Sequence, residues 1–211
     1  MHIFQGFRLD FIVYAGIIRI VQSKHRYLTR METPVKKLYF TILLIFLLTI
    51  YVSSCNNNFR NISLLSDIDS ENALLLARGK EGNDYLWGGN GPDLFDCSGL
   101  IIWSYQESIN AQMIFYDGQQ IVSDINMQTM YDFNIQKISN VNDVKPGYVI
   151  FITNEIGLIT HGGLVVNIND EEVNFINASS YYNKVVTDTW GLNDIVRDQW
   201  IVGYGRMIRS Y

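Results

Sequence analysis

Along residues 66–211 the spacing of apolar side chains changes period once. Ser66–Lys80 opens with Ser and Asp cap candidates, carries Ala73-Leu74-Leu75-Leu76-Ala77 and stops near Gly79 and Gly82, which predicts a first helix. Trp87-Gly88-Gly89-Asn90-Gly91-Pro92 has no regular period and reads as a turn-rich loop. In Cys97–Ser108 the apolar Leu100, Ile101, Trp103 and Tyr105 stand among polar positions, predicting a second helix with Cys97 in its first turn. Beyond Pro146-Gly147 the chain becomes a series of short runs rich in Val, Ile, Phe and Tyr. Tyr148–Thr153, Leu158–Val166, Glu172–Ala178 and Trp200–Ile208 are predicted strands, with Asn167–Glu171 among the separating turns. Helices first and antiparallel strands afterwards predict an α+β domain.

The preceding residues follow a different pattern. Residues 38–52 are fifteen consecutive positions without a charge, and Lys36 and Lys37 stand just before them. A basic flank and a short apolar run form a secretory signal pattern. As a helix the run would rise about 22 Å, short of a ~30 Å hydrocarbon core; a short membrane anchor is the alternative. Val52-Ser53-Ser54-Cys55 resembles the bacterial lipoprotein signal, in which the cysteine is lipidated and becomes the mature N-terminus. The expected organisation is therefore an upstream extension over 1–30 and a signal peptide over 31–54 starting at Met31. A polar tether over 55–65 and a folded domain over 66–211 follow. The product would be an exported, membrane-anchored lipoprotein.

Charge sharpens this division. Of 16 Lys/Arg and 21 Asp/Glu, seven basic and two acidic residues fall in 1–54, leaving nine and nineteen in 55–211. The leader is thus +5 and the remainder −10, a balance that repels phosphate backbones and argues against a nucleic-acid partner. Two cysteines and three histidines are too few for a disulfide scaffold or a structural zinc cluster. No metal or other cofactor is implied.

Cys97 follows a Gly-rich loop, lies between Asp96 and Ser98 and opens a helix, where the N-terminal dipole favours a thiolate. A lone cysteine is more often a small buried hydrophobe. His2 and His25 precede the expected cleavage point, which leaves His161 as the one histidine of the mature chain. Any Cys–His chemistry there must pair Cys97 with His161. Elimination names the pair without showing that it reacts.

Six blocks in order carry a family resemblance: Tyr85-Leu86-Trp87-Gly88-Gly89, Phe95-Asp96-Cys97-Ser98-Gly99-Leu100, Pro146-Gly147, Thr160-His161-Gly162-Gly163, Phe175-Ile176-Asn177-Ala178-Ser179 and Gly203-Tyr204-Gly205-Arg206. Together they resemble the NlpC-type cell-wall cysteine peptidases over about residues 66–211. The resemblance implies a papain-like α+β fold with the nucleophile at a helix start packed on an antiparallel sheet. It implies hydrolysis of peptidoglycan stem peptides, commonly between γ-D-glutamate and a diamino acid. By position Cys97 would be nucleophile, His161 general base and Asn177 the orienting third member, its amide oxygen accepting from His161 Nδ1–H. Tyr85 would assist near the oxyanion or substrate. Asp96 and Ser98 would contact a free stem-peptide amine, or cap the helix.

Two positions depart from the family pattern. Tyr148 stands where an acidic residue usually follows Pro-Gly, and Gly162-Gly163 where a branched apolar residue usually follows the histidine. Two further functional readings accompany the endopeptidase one: an amidase cutting between muramic acid and the first stem residue, and a non-catalytic, lipid-tethered wall-binding module.

Overall fold

The computed structural model describes residues 62–210, together with helical positions 34, 38, 41–43, 45 and 46. Two compact units divide the chain, Met1–Phe59 and Arg60–Tyr211. Apart from those helical positions, the expected leader and Cys55 lie outside the described residues. Among the described residues no helix is long and apolar enough to cross a membrane.

The second unit contains helices α1 (Asp67–Arg78), α2 (Cys97–Ile109) and α3 (Met127–Phe133), with a short 3-10 turn at Val141–Asp143. Its strands are β1 (Ile62–Leu64), β2 (Phe115–Tyr116), β3 (Ile121–Val122), β4 (Ile135–Ile138), β5 (Val149–Asn154), β6 (Ile159–Ile168), β7 (Glu172–Ser179), β8 (Lys184–Gly191) and β9 (Gln199–Ser210). The main sheet runs β1-β9-β5-β6-β7-β8, with β4 also on β9 and β2–β3 forming a separate hairpin. All its pairings are antiparallel. The expected α+β class and papain-like arrangement are thus observed.

One boundary and several elements differ from expectation. Ile62–Leu64 pairs with Ile208–Ser210, and Leu65 is buried, so the fold begins inside the expected 55–65 tether. Strand β8 fills a stretch read as having no element. So do the hairpin, α3 and β4 between residues 115 and 138. These elements are short or half polar, and each is completed by its neighbours. Met127 and Met130 of α3, for example, are buried against the main core.

Helix α1 starts at Ser66, whose hydroxyl accepts from Asp69 N–H while the Asp69 carboxylate accepts from Ser66 N–H, a reciprocal capping box. Ala73, Leu74 and Ala77 of α1 and Leu100, Ile101 and Tyr105 of α2 bury against Val149, Phe151, Leu164 and Ile176 of the sheet. The alternate residues Ile150, Ile152, Val165 and Phe175 face a second core containing Tyr148, Trp190 and Tyr204. Burial on both faces is why β5 reads as an unbroken apolar run. Tyr148, the departure after Pro-Gly, donates its hydroxyl to Asp67 at 2.9 Å. Lys145 and Arg206 approach the same carboxylate at 2.6 and 3.4 Å. An acid supplied by α1 thereby ties the helix layer to the sheet.

Tyr105 is the polar bolt of the core. Its buried hydroxyl donates to the Gly147 carbonyl at 2.7 Å and lies 3.2 Å from Ser70 Oγ. Tyr105→Phe should leave that carbonyl without its buried donor, costing about 1–2 kcal/mol. The expected readout is a lower unfolding midpoint in denaturant with catalytic parameters unchanged.

Candidate active site

Asp96 organises the start of α2. As N-cap it accepts from Gly99 N–H at 2.7 Å and from the Ser98 hydroxyl at 3.0 Å through one oxygen. Its other oxygen accepts from Gly88 N–H at 2.9 Å, tying the Gly-rich loop to the helix. A side chain at Gly99 would collide with the Gly89 carbonyl, so the helix start and the loop touch backbone to backbone. Asp96 thus caps the helix, and Ser98 donates its hydroxyl to the capping carboxylate. Both residues also line the cleft.

The cleft has a volume of about 620 Å³ and brings together Tyr85, Cys97 and His161. The Cys97 thiol lies 3.8 Å from the carbonyl oxygen of Thr160, the residue preceding His161. Asn177 is fully buried on β7 behind the histidine. Its Oδ1 lies 3.0 Å from His161 Nε2. The expected partner was Nδ1; the structure instead uses Nε2 and leaves Nδ1 as the proton-accepting nitrogen. The amide's orientation follows from its other contacts: Nδ2 donates to the Asp188 carboxylate at 3.0 Å and to the Val186 carbonyl at 3.3 Å. Both are acceptors, so Oδ1 must face the ring and Nε2 must carry the proton.

Gly163 explains part of the second departure. A Cβ there would meet the Ile176 carbonyl and sit 3.0 Å from Asn177 Cβ, so a branched residue would push β7 away from His161.

The electrostatics differ from the thiolate expectation. Burial, followed by the neighbouring Asp96 charge, pushes the Cys97 thiol up to about 12. The backbone N–H groups of Ser98 and Cys97 act in the opposite direction, as a helix start should, but they are outweighed. Burial holds His161 below its ordinary value, against opposing contributions from Asn177 and Asp188. Burial, then the Cys97 and Asp96 charges, raise Tyr85 and keep its hydroxyl a donor. Both shifts favour the neutral forms, thiol and imidazole, over the ion pair.

A pH prediction follows. The base form of His161 is lost as pH falls through its lowered pKa, so the acid limb of kcat/KM should lie below about 6.5. No thiol-linked rise should appear between about pH 7 and 9. A rate profile in a constant-ionic-strength buffer series checks both.

Asp188 and Arg197 line the cleft but were not singled out from sequence. Asp188 sits opposite Phe175, while Val186 sits opposite Asn177. Asp188 is therefore the diagonal cross-strand neighbour of Asn177. Only the β7–β8 register reveals that relation. Among the described residues no group of acidic, His or Cys side chains could hold a metal ion.

Helices packed on an antiparallel sheet, with a thiol at a helix start and a histidine held by an amide on the next strand, define a papain-like α+β domain. The NlpC/P60 family model matches residues 82–201, and the chain belongs to that family. A protein of Listeria seeligeri named a probable endopeptidase p60 is 30% identical over 126 residues, covering 60% of this chain and 20% of its own. One of Corynebacterium glutamicum, also named a probable endopeptidase, is 55% identical over 31 residues, or 15% of each chain. The chain thus spans about one-fifth or less of the length of these relatives. Among solved structures, NlpC1 from Trichomonas vaginalis has a TM-score of 0.52 at 26% identity, covering 69% of this chain and 46% of its own.

Proposed function

We propose that the domain is a peptidoglycan stem-peptide hydrolase, a γ-D-glutamyl-diamino-acid endopeptidase using Cys97, His161 and Asn177. The observation that carries this reading is that Cys97 and His161 open onto one cleft, with the histidine's far nitrogen held by a buried amide. The family membership and the endopeptidase names of the relatives support the substrate class.

In this mechanism His161 Nδ1 takes the Cys97 proton as sulfur attacks the scissile carbonyl. Because the resting thiol is neutral, proton transfer accompanies attack. The N–H groups of Cys97 and Ser98, with the Tyr85 hydroxyl, stabilise the oxyanion. The imidazolium then protonates the departing amine, leaving a thioester on Cys97. A water deprotonated by His161 hydrolyses that ester and restores the thiol. Asp96 and Ser98 receive the free amine of a trimmed stem.

The same proposal covers the leader: residues 31–54 direct export and Cys55 carries the lipid anchor. Exposed apolar side chains at the helical positions Leu38, Ile42, Ile45 and Phe46 support a membrane-inserting run.

The test is incubation with defined stem peptides and muropeptides, with products read by mass. Fragments ending in γ-D-glutamate support the proposal. Release of an intact stem from muramic acid would replace it with the amidase reading, and binding without cleavage with the wall-binding module.

A further inference from the structure

Arg197 is the one lysine or arginine lining a cleft that otherwise carries two carboxylates, in a region of net charge −10. Both acids already have partners, Asp96 in the α2 cap and Asp188 on Asn177. Arg197 is held differently. Its guanidinium lies 3.7 Å from the Tyr181 ring centroid and 5.4 Å from that of Tyr182. One N–H donates to the Tyr182 hydroxyl at 3.2 Å. Among the described residues no carboxylate forms an ion pair with the guanidinium.

The backbone supplies an independent observation. Val196 and Gln199 exchange N–H···O bonds of 2.8 and 3.1 Å around a two-residue turn. Its central residues, Arg197 and Asp198, have φ of +53° and +59°. Turns with two positive φ values select Asn and Gly, and a long side chain there is strained. Strain of this kind concentrates at ligand-binding sites. The turn holds a stacked guanidinium, free of any carboxylate partner among the described residues, in the cleft that Cys97 and His161 share. It lies near enough to His161 to act on its charge, and its planar donors match a carboxylate.

We infer that Arg197, stacked on Tyr181 and Tyr182, is a carboxylate-binding subsite that selects peptides with a free carboxylate beside the scissile γ-glutamyl bond. This rests on the stem-peptide reading above and adds a residue and a chemical preference to it.

The test uses the full chain carrying Cys97→Ala, titrated calorimetrically with a γ-linked D-glutamyl peptide in two forms. One form has a free α-carboxylate and the other an α-carboxamide. The carboxylate form should bind about tenfold tighter. Arg197→Asn should erase that preference while unfolding at an equal or higher temperature, because Asn tolerates the positive φ. Arg197→Lys should recover part of the preference. Equal binding of both peptides by the Arg197 protein would overturn the inference, as would an equal loss for both peptides in Arg197→Asn. Absence of binding by either peptide to either protein would overturn the stem-peptide reading itself, and the subsite with it.

Discussion

Cys97→Ala should lower stem-peptide turnover by at least about 10⁴-fold while leaving the fold and substrate binding intact. The thiol is the one atom of the cleft for which the mechanism has no substitute. Water would have to attack directly, helped only by the remaining oxyanion donors and by positioning. Structural damage should be small. Cys97 is half-buried, and its thiol makes a long hydrogen bond to the Thr160 carbonyl. Helix α2 keeps its cap, because Asp96 bonds to Gly99, Ser98 and Gly88 rather than to the sulfur. Unfolding midpoints of the two proteins should agree closely. Slow alkylation of wild-type Cys97 by a small electrophile at pH 7 is also expected, since the resting sulfur is protonated. In the proposed mechanism His161 takes the proton during attack.

Asn177→Ala should cost about 10²–10³-fold in kcat with little change in KM. The amide oxygen fixes both the ring plane and the tautomer of His161, so removing it frees Nδ1 to carry the proton and lose its base function. Asp188 acts one step further out, as a positioning residue through Asn177 Nδ2. Asp188→Ala should cost about ten- to a hundredfold in kcat. A pH profile separates this role from general destabilisation. The Asp188 charge raises the His161 pKa, so its removal lowers that pKa further and moves the acid limb to lower pH. A merely destabilised enzyme would lose rate without that displacement.

The parts of this machinery that could be read from sequence are those set by local chemistry. Asp96 before Cys97 at the head of an amphipathic run specifies a capped helix with a thiol in its first turn. The unbroken Val-Ile-Phe-Ile run of β5 specifies a strand buried on both faces. Asn177 was identified through the family resemblance rather than its own surroundings. What could not be read depends on register and burial. That Oδ1 rather than Nδ2 of Asn177 faces the ring, so that the facing nitrogen carries the proton, is set by Nδ2 donating to two acceptors on β8. That strand is β-branched but half polar, with Thr187, Asp188 and Thr189 between Val185 and Trp190. The sign of the Cys97 shift was opposite to the helix-dipole expectation because burial and Asp96 exceed two backbone N–H groups. Arg197 could not be singled out from sequence, since stacking partners fifteen and sixteen positions away leave no periodic trace.

The central claim is that Cys97 sulfur is the atom that attacks a γ-glutamyl carbonyl. It is tested most directly with a stem-peptide analogue whose scissile carbonyl carries a chloromethyl group. Attack forms a sulfur–carbon bond and expels chloride, and the modified residue is located by peptide mass mapping. The account predicts one adduct per chain, on the peptide containing Cys97, with loss of activity in step with labelling and protection by excess substrate. Hydrolysis of the parent stem peptide that continues at full rate with Cys97 unmodified would contradict it.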